Sequence, residues 1–69
     1  MEVLALGIDG MQRAACAACV EMRLYSVAGV HSAAVSFVGC EAEIAFDPRQ
    51  TDANALARAV AEAGYRVRA

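Results

Sequence analysis

The sequence predicts an α+β sandwich: four antiparallel strands backed on one face by two helices, in chain order βαββαβ. Three observations carry this. Apolar residues alternate with small or polar ones in three short runs, at Leu4, Leu6 and Ile8, at Ala33, Val35 and Phe37, and at Ala42, Ile44 and Phe46, the period of strands with one buried face. Two longer segments instead space their apolar residues at helical intervals: Cys16, Val20, Leu24 and Val27, then Leu56, Ala59, Val60 and Ala63. A glycine, Gly29 or Gly64, follows each helical segment as a terminator.

Taken in order, the first strand is expected over about 2–8 and the first helix over Ala14 to Val27. The second alternating run breaks at Gly39 and the third ends at Asp47-Pro48, so the two form a hairpin that turns at about Val38–Glu41. Thr51 or Asp52 can cap the second helix, and Tyr65 to Val67 form a short last strand. This order matches the split βαβ, or ferredoxin-like, plan, with spatial strand order 4-1-3-2. The loop after the first strand, the central hairpin and the turn after the second helix then fall at one end of the molecule. That end holds Cys16, Cys19, Cys40 and Tyr65, whereas His31, at the start of the second strand, lies at the other.

With 69 residues the chain is read as one domain, 1–69, near the size at which a core is only just sufficient and a bound metal adds useful stability. Its 59% hydrophobic content suffices for a packed core. No apolar run approaches the roughly 20 residues of a membrane span, and the start MEVLALGIDG lacks the basic and long apolar parts of a signal peptide, so a cytoplasmic location is expected. The formal net charge is −2, and the arginines are scattered with no lysine among them. Phosphate binding needs a basic face, so nucleic acid is not an expected partner. Enzyme chemistry is not expected either: the sequence shows no paired acid and base, no nucleophile with its base and no phosphate-binding glycine loop.

Cys16 and Cys19 form a C-x-x-C, and Cys40 makes the number of cysteines odd. In a reducing compartment this pattern points to metal or redox chemistry before a structural disulfide. Residues three apart on a helix have Cβ atoms roughly 5–6 Å apart. Two thiolates bonded linearly to one ion need sulfurs about 4–5 Å apart, twice a metal–sulfur bond of about 2.3 Å. The spacing is therefore suitable, and soft thiolates favour Cu(I) and other thiophilic ions. The free N–H groups of the first helical turn favour a deprotonated sulfur, and Arg13 and Arg23 each bring a cation within helical reach of one cysteine.

Several segments, in order and nearly along the whole chain, resemble the heavy-metal-associated domains found as copper chaperones and as N-terminal modules of metal-transporting P-type ATPases. They are Ile8-Asp9-Gly10-Met11, Val20-Glu21 with Leu24, Val27-Ala28-Gly29-Val30, Ala42 through Phe46-Asp47-Pro48, and Leu56 to Ala63-Gly64-Tyr65. The resemblance implies a domain that receives Cu(I) and passes it by ligand exchange to a transport ATPase or a similar metal-binding domain. It also implies that Met11 packs beneath the metal loop and that Tyr65 stands near the site. The metal motif departs from the family's G-M-x-C-x-x-C. Arg13 occupies the place of the loop-borne first cysteine, Cys16 that of the second, and Cys19 is an extra cysteine one turn further on. The pair has moved three residues into the helix.

Each residue has a plainer reading. Cys16 shares a helical stripe with Val20 and Leu24 and could be an inert buried thiol; Cys19 could be a small filler on an alanine-rich helix. Cys40 is either a free thiol without function or a third sulfur, which would give trigonal Cu(I), a site for a larger ion, or a metal bridge between two copies of the chain. His31 is expected to be a surface histidine. Three other functions compete with copper exchange: sequestration of Hg(II), Cd(II) or Zn(II), dithiol redox chemistry, and a degenerate domain that serves only as an interaction surface.

Overall fold

The alternating and helical segments become, in chain order, β1 (Glu2–Asp9), α1 (Ala14–Tyr25), β2 (Val30–Ser36), β3 (Glu41–Phe46), α2 (Ala53–Glu62) and β4 (Arg66–Arg68). The structure is a computed structural model and describes residues 1–68. The strands lie in the order β2-β3-β1-β4, which is the expected 4-1-3-2 read from the other edge. All three pairings are antiparallel. Leu4 stands opposite Ile44 and Leu6 opposite Ala42, so one residue in two from each central strand enters the same face. Glu41 and Glu43, which alternate with the buried Ala42 and Ile44 of β3, remain exposed on the other face.

Both helices cover the inward face, α1 packing on β2 and on α2, and α2 packing on β4. Ile8 and Ile44 from the sheet meet Val20 and Leu24 from α1 and Leu56 and Val60 from α2, and all six side chains are fully buried. Burying each contributes about 1.5–3 kcal/mol relative to leaving it in water. This shared core is what holds the N-terminal end of α1 above the loops of the sheet. Among the described residues no helix is long and apolar enough to cross a membrane.

The boundaries differ from expectation where side chains compete for backbone groups. Helix α1 stops at Tyr25 rather than Val27, because the Ser26 hydroxyl donates to the Arg23 carbonyl at 2.6 Å and the chain then tightens, Val27 N–H reaching the Leu24 carbonyl. β2 begins three residues earlier than the alternation suggested, because a bulge between Val30 and Ser32 breaks the period and still leaves Val30 packed on the core. Phe37 belongs to the hairpin turn, which spans 37–40 rather than 38–41: Cys40 N–H donates to the Phe37 carbonyl, and Gly39 N–H to the Ser36 hydroxyl at 2.9 Å. Tyr65 is likewise in a turn, its N–H directed back to the Val60 carbonyl, and β4 starts at Arg66. Asp52 rather than Thr51 caps α2, accepting from Ala55 N–H at 2.8 Å. Thr51 is buried instead, and its hydroxyl has no hydrogen-bond partner.

The expected clustering of loops at one end holds. The Cys40 carbonyl accepts from Ile8 N–H and from the Arg68 guanidinium, both at 2.8 Å, which fastens the β2–β3 turn to β1 and β4. At the opposite end, Gly29 adopts a φ of +96° beside Gln50 and Thr51, and His31 is exposed there.

Candidate metal centre

The site is built on the start of α1. Arg13 precedes the helix in an extended conformation, offers no side-chain cap, and no acidic residue stands in the first turn. The N–H groups of that turn are thus left to other acceptors. Cys16 lies three residues on, half-buried at the edge of the stripe that continues through Val20 and Leu24. It is not the core thiol of the plainer reading, since those two neighbours are fully enclosed and it is not.

Tyr65 reaches the same place from the far side. Gly64, at a φ of +98°, turns the chain out of α2, and Gly10, at +103°, turns it out of β1. Both are left-handed conformations that a side chain rarely adopts. The Tyr65 ring lies against Gly10, its Cδ1 3.6 Å from where a β-carbon would stand. Its hydroxyl favours the charged form of Cys16 and is the main cause of a Cys16 pKa below the ordinary thiol value. The backbone N–H groups of Gln12 and Arg13 lower it further, partial burial opposes them, and the Arg13 charge adds a smaller lowering. Tyr65 shows the reciprocal effect: its interaction with Cys16 raises its pKa, as do partial burial and the negative charges of Cys16 and Cys19.

Cys19 follows one helical turn after Cys16 and is exposed. The neighbouring cation expected for it is committed elsewhere: Arg23 Nη2 lies 2.7 Å from Glu62 Oε1, an ion pair that joins α1 to α2. Only Arg13, exposed at the lip of the loop, keeps the expected relation to a cysteine.

Cys40 shares this end of the molecule but has its own partners. It occupies the left-handed region at a φ of +52°, and its sulfur lies 3.5 Å from the Phe37 carbonyl. Among the described residues no three His, Cys, Asp or Glu side chains are grouped in an arrangement that could hold a metal. Met11 is half-buried and packs on the core, as its apolar side chain favours.

Two features escaped the sequence reading. Asp9 and Arg68 form an ion pair at 3.0 Å across the β1–β4 edge, and the same arginine holds the Cys40 carbonyl. A shallow cleft opens beside Tyr65, lined by Asp9, Gly10, Gly64 and Arg66 among others. The only signal for either lay in charges at alternate positions of a strand as short as β4, whose partner cannot be assigned without the sheet register.

Chemically, the arrangement offers two soft donors one helical turn apart, one of them held toward its thiolate form by three N–H and O–H donors, in a location open to solvent. The fold and this dithiol define the class: a ferredoxin-like α+β sandwich with paired cysteines at its loop end. The chain belongs to the heavy-metal-associated domain family, whose model matches residues 5–66. It is 35% identical over 60 residues to the copper-transporting ATPase RAN1 of Arabidopsis thaliana, a match that covers 87% of this chain and 6% of that protein's length. Its structure is similar to that of a copper-binding domain from HMA7, a P-type ATPase, with a TM-score of 0.96 at 31% identity, covering 99% of this chain and 92% of that one. It is also similar to the CopZ metallochaperone, with a TM-score of 0.93 at 25% identity, covering 97% of this chain and 100% of the chaperone.

Proposed function

We propose that this chain binds Cu(I) between the Cys16 and Cys19 thiolates and exchanges it with a transport ATPase or another domain of its own kind. The observation that carries the proposal is the convergence on Cys16 of the Tyr65 hydroxyl and the Gln12 and Arg13 amides, which favour the thiolate that a soft metal requires. The helical spacing to Cys19 suits two-coordinate Cu(I), and Arg13 offsets part of the net −1 charge of a copper bis-thiolate. Copper is the cargo of such a domain and binding, rather than catalysis, its task. Two relatives with copper roles, one an ATPase and one a copper-binding domain of an ATPase, support the metal and the partner class. A reducing cytoplasm is the compartment in which the pair stays available as thiols.

The test is an anaerobic titration with Cu(I) against a competing chelator, performed on the wild type and on each cysteine-to-serine variant, with the mass of the complex measured in its native state. One copper per chain is expected, abolished or strongly weakened by Cys16→Ser and Cys19→Ser and unaffected by Cys40→Ser. A preference for Zn(II) or Hg(II) over Cu(I) would replace copper exchange with sequestration. A failure to bind any thiophilic ion under reducing conditions would leave only an interaction module. A complex of twice the chain's mass would make the site a metal-bridged dimer.

A further inference from the structure

We propose that Met22 is a copper ligand, forming with Cys19 a second, more exposed position to which Cu(I) passes from the Cys16–Cys19 pair. The inference rests on the reading that those two cysteines hold Cu(I). Met22 lies three residues after Cys19 on α1, the same interval that separates Cys19 from Cys16. Its side chain is 74% exposed, on a helix whose buried residues are Ala17, Val20 and Leu24, so the core makes little use of it. Side chains on a helix lean toward its N-terminus, which carries a methionine over the preceding turn and here toward Cys19. Cβ atoms roughly 5–6 Å apart and a thioether on a flexible stem give two sulfurs that can close on one ion.

Met22 cannot serve as a third ligand to an ion already held by both cysteines. Six residues separate it from Cys16, a rise of about 9 Å on faces about 120° apart. Two sulfurs on one ion stand about 4–5 Å apart, and the side chains cannot span the remainder. The donors are therefore arranged as a ladder, Cys16 to Cys19 to Met22, in which Cys19 belongs to both rungs. In the step from one rung to the next, the bond from copper to Cys16 Sγ breaks and a bond to Met22 Sδ forms, while Cys19 Sγ stays bonded. The released Cys16 thiolate takes a proton from solvent, and copper remains Cu(I). Because a neutral thioether replaces a thiolate, the metal site goes from −1 to neutral and holds its ion less tightly. The second rung supplies the mobility that a loop-borne ligand would otherwise give, at the position where an acceptor's sulfur can reach the ion.

The test uses the full chain in a Cys40→Ser background, so that no further cysteine competes. Cu(I) affinity by chelator competition and the methionine methyl NMR signals are followed for the parent, for Cys16→Ser, and for Cys16→Ser combined with Met22→Leu. Met22 is exposed, so its replacement by leucine leaves the fold intact. With Cys16 removed, Cys19 and Met22 form the remaining rung. The Met22 methyl signal is then expected to move on addition of Cu(I), and the added Met22→Leu change to weaken binding by about tenfold or more. Equal affinities with and without Met22, or a Met22 signal that does not move, overturn the ladder alone. Absence of Cu(I) binding by the parent chain overturns the ladder and the copper reading together.

Discussion

Tyr65, at the turn between α2 and β4, lowers the pKa of Cys16 in the opening turns of α1. The two residues lie far apart along the chain, so the acidity of the candidate ligand Cys16 is a property of the folded state.

Replacing Tyr65 with phenylalanine should raise the Cys16 pKa, observed as a higher midpoint of thiolate absorbance in a pH titration, and Cu(I) binding should be lost at a higher pH as protons compete. The sign for stability follows from the two shifts. A thiol pKa lowered by folding contributes stability above its unfolded value, lost as pH falls through the folded one. The raised Tyr65 pKa contributes stability below the unfolded tyrosine value, lost as pH rises through the folded one. The phenylalanine variant should lack the tyrosine dependence and keep only the part of the thiol dependence that Gln12 and Arg13 supply. An unchanged Cys16 midpoint would remove the hydroxyl from the site.

Arg13→Cys should return a sulfur to the loop position that the family's motif occupies with cysteine. The expected result is Cu(I) binding tighter by about tenfold or more in chelator competition, with faster handover to an acceptor domain. Unchanged affinity would show that the extended conformation of residue 13 directs its side chain away from the other two sulfurs.

At the other end of the molecule, Gly29→Ala should be costly. A β-carbon there would stand 2.6 Å from Gln50 Cβ, at a φ of +96° that alanine rarely adopts. The expected loss is about 1–3 kcal/mol. Thermal unfolding would fall by roughly 4–8 °C for each kcal/mol, while Cu(I) affinity stays the same because the site is remote.

Thr51→Val should be neutral or stabilising by up to about 1 kcal/mol in denaturant unfolding, since it removes a buried hydroxyl that has no partner and keeps the shape. A clear loss of stability would show that the hydroxyl is satisfied after all.

The facing of β1 and β3 was readable from alternation, because Leu6, Ile8, Ala42 and Ile44 enter a single core and a shift of one residue would expose them all, while the sheet order followed from the βαββαβ plan. The end of α1 was not, since Val27 continues the helical spacing and it is the Ser26 hydroxyl that draws the chain into a turn. Of the site, the placement of Cys16, Cys19 and Tyr65 at one end followed from topology. The pairing of Arg23 with Glu62 was hidden, because it depends on how α1 and α2 lie side by side and not on any spacing along the chain. Cys40 illustrates the same limit: its position in the hairpin was legible, its left-handed backbone and its turn toward Phe37 were not.

The displacement of both donors onto α1 changes what must be folded before metal can bind. A pair divided between loop and helix takes its spacing from tertiary structure, whereas Cys16 and Cys19 need only one helical turn. A chain that has lost its core but keeps a trace of that helix retains both donors at workable spacing. Binding by the unfolded ensemble subtracts from the stabilisation that a ligand gives the native state. On the proposed function, copper should therefore raise the melting temperature of this domain by less than its affinity implies.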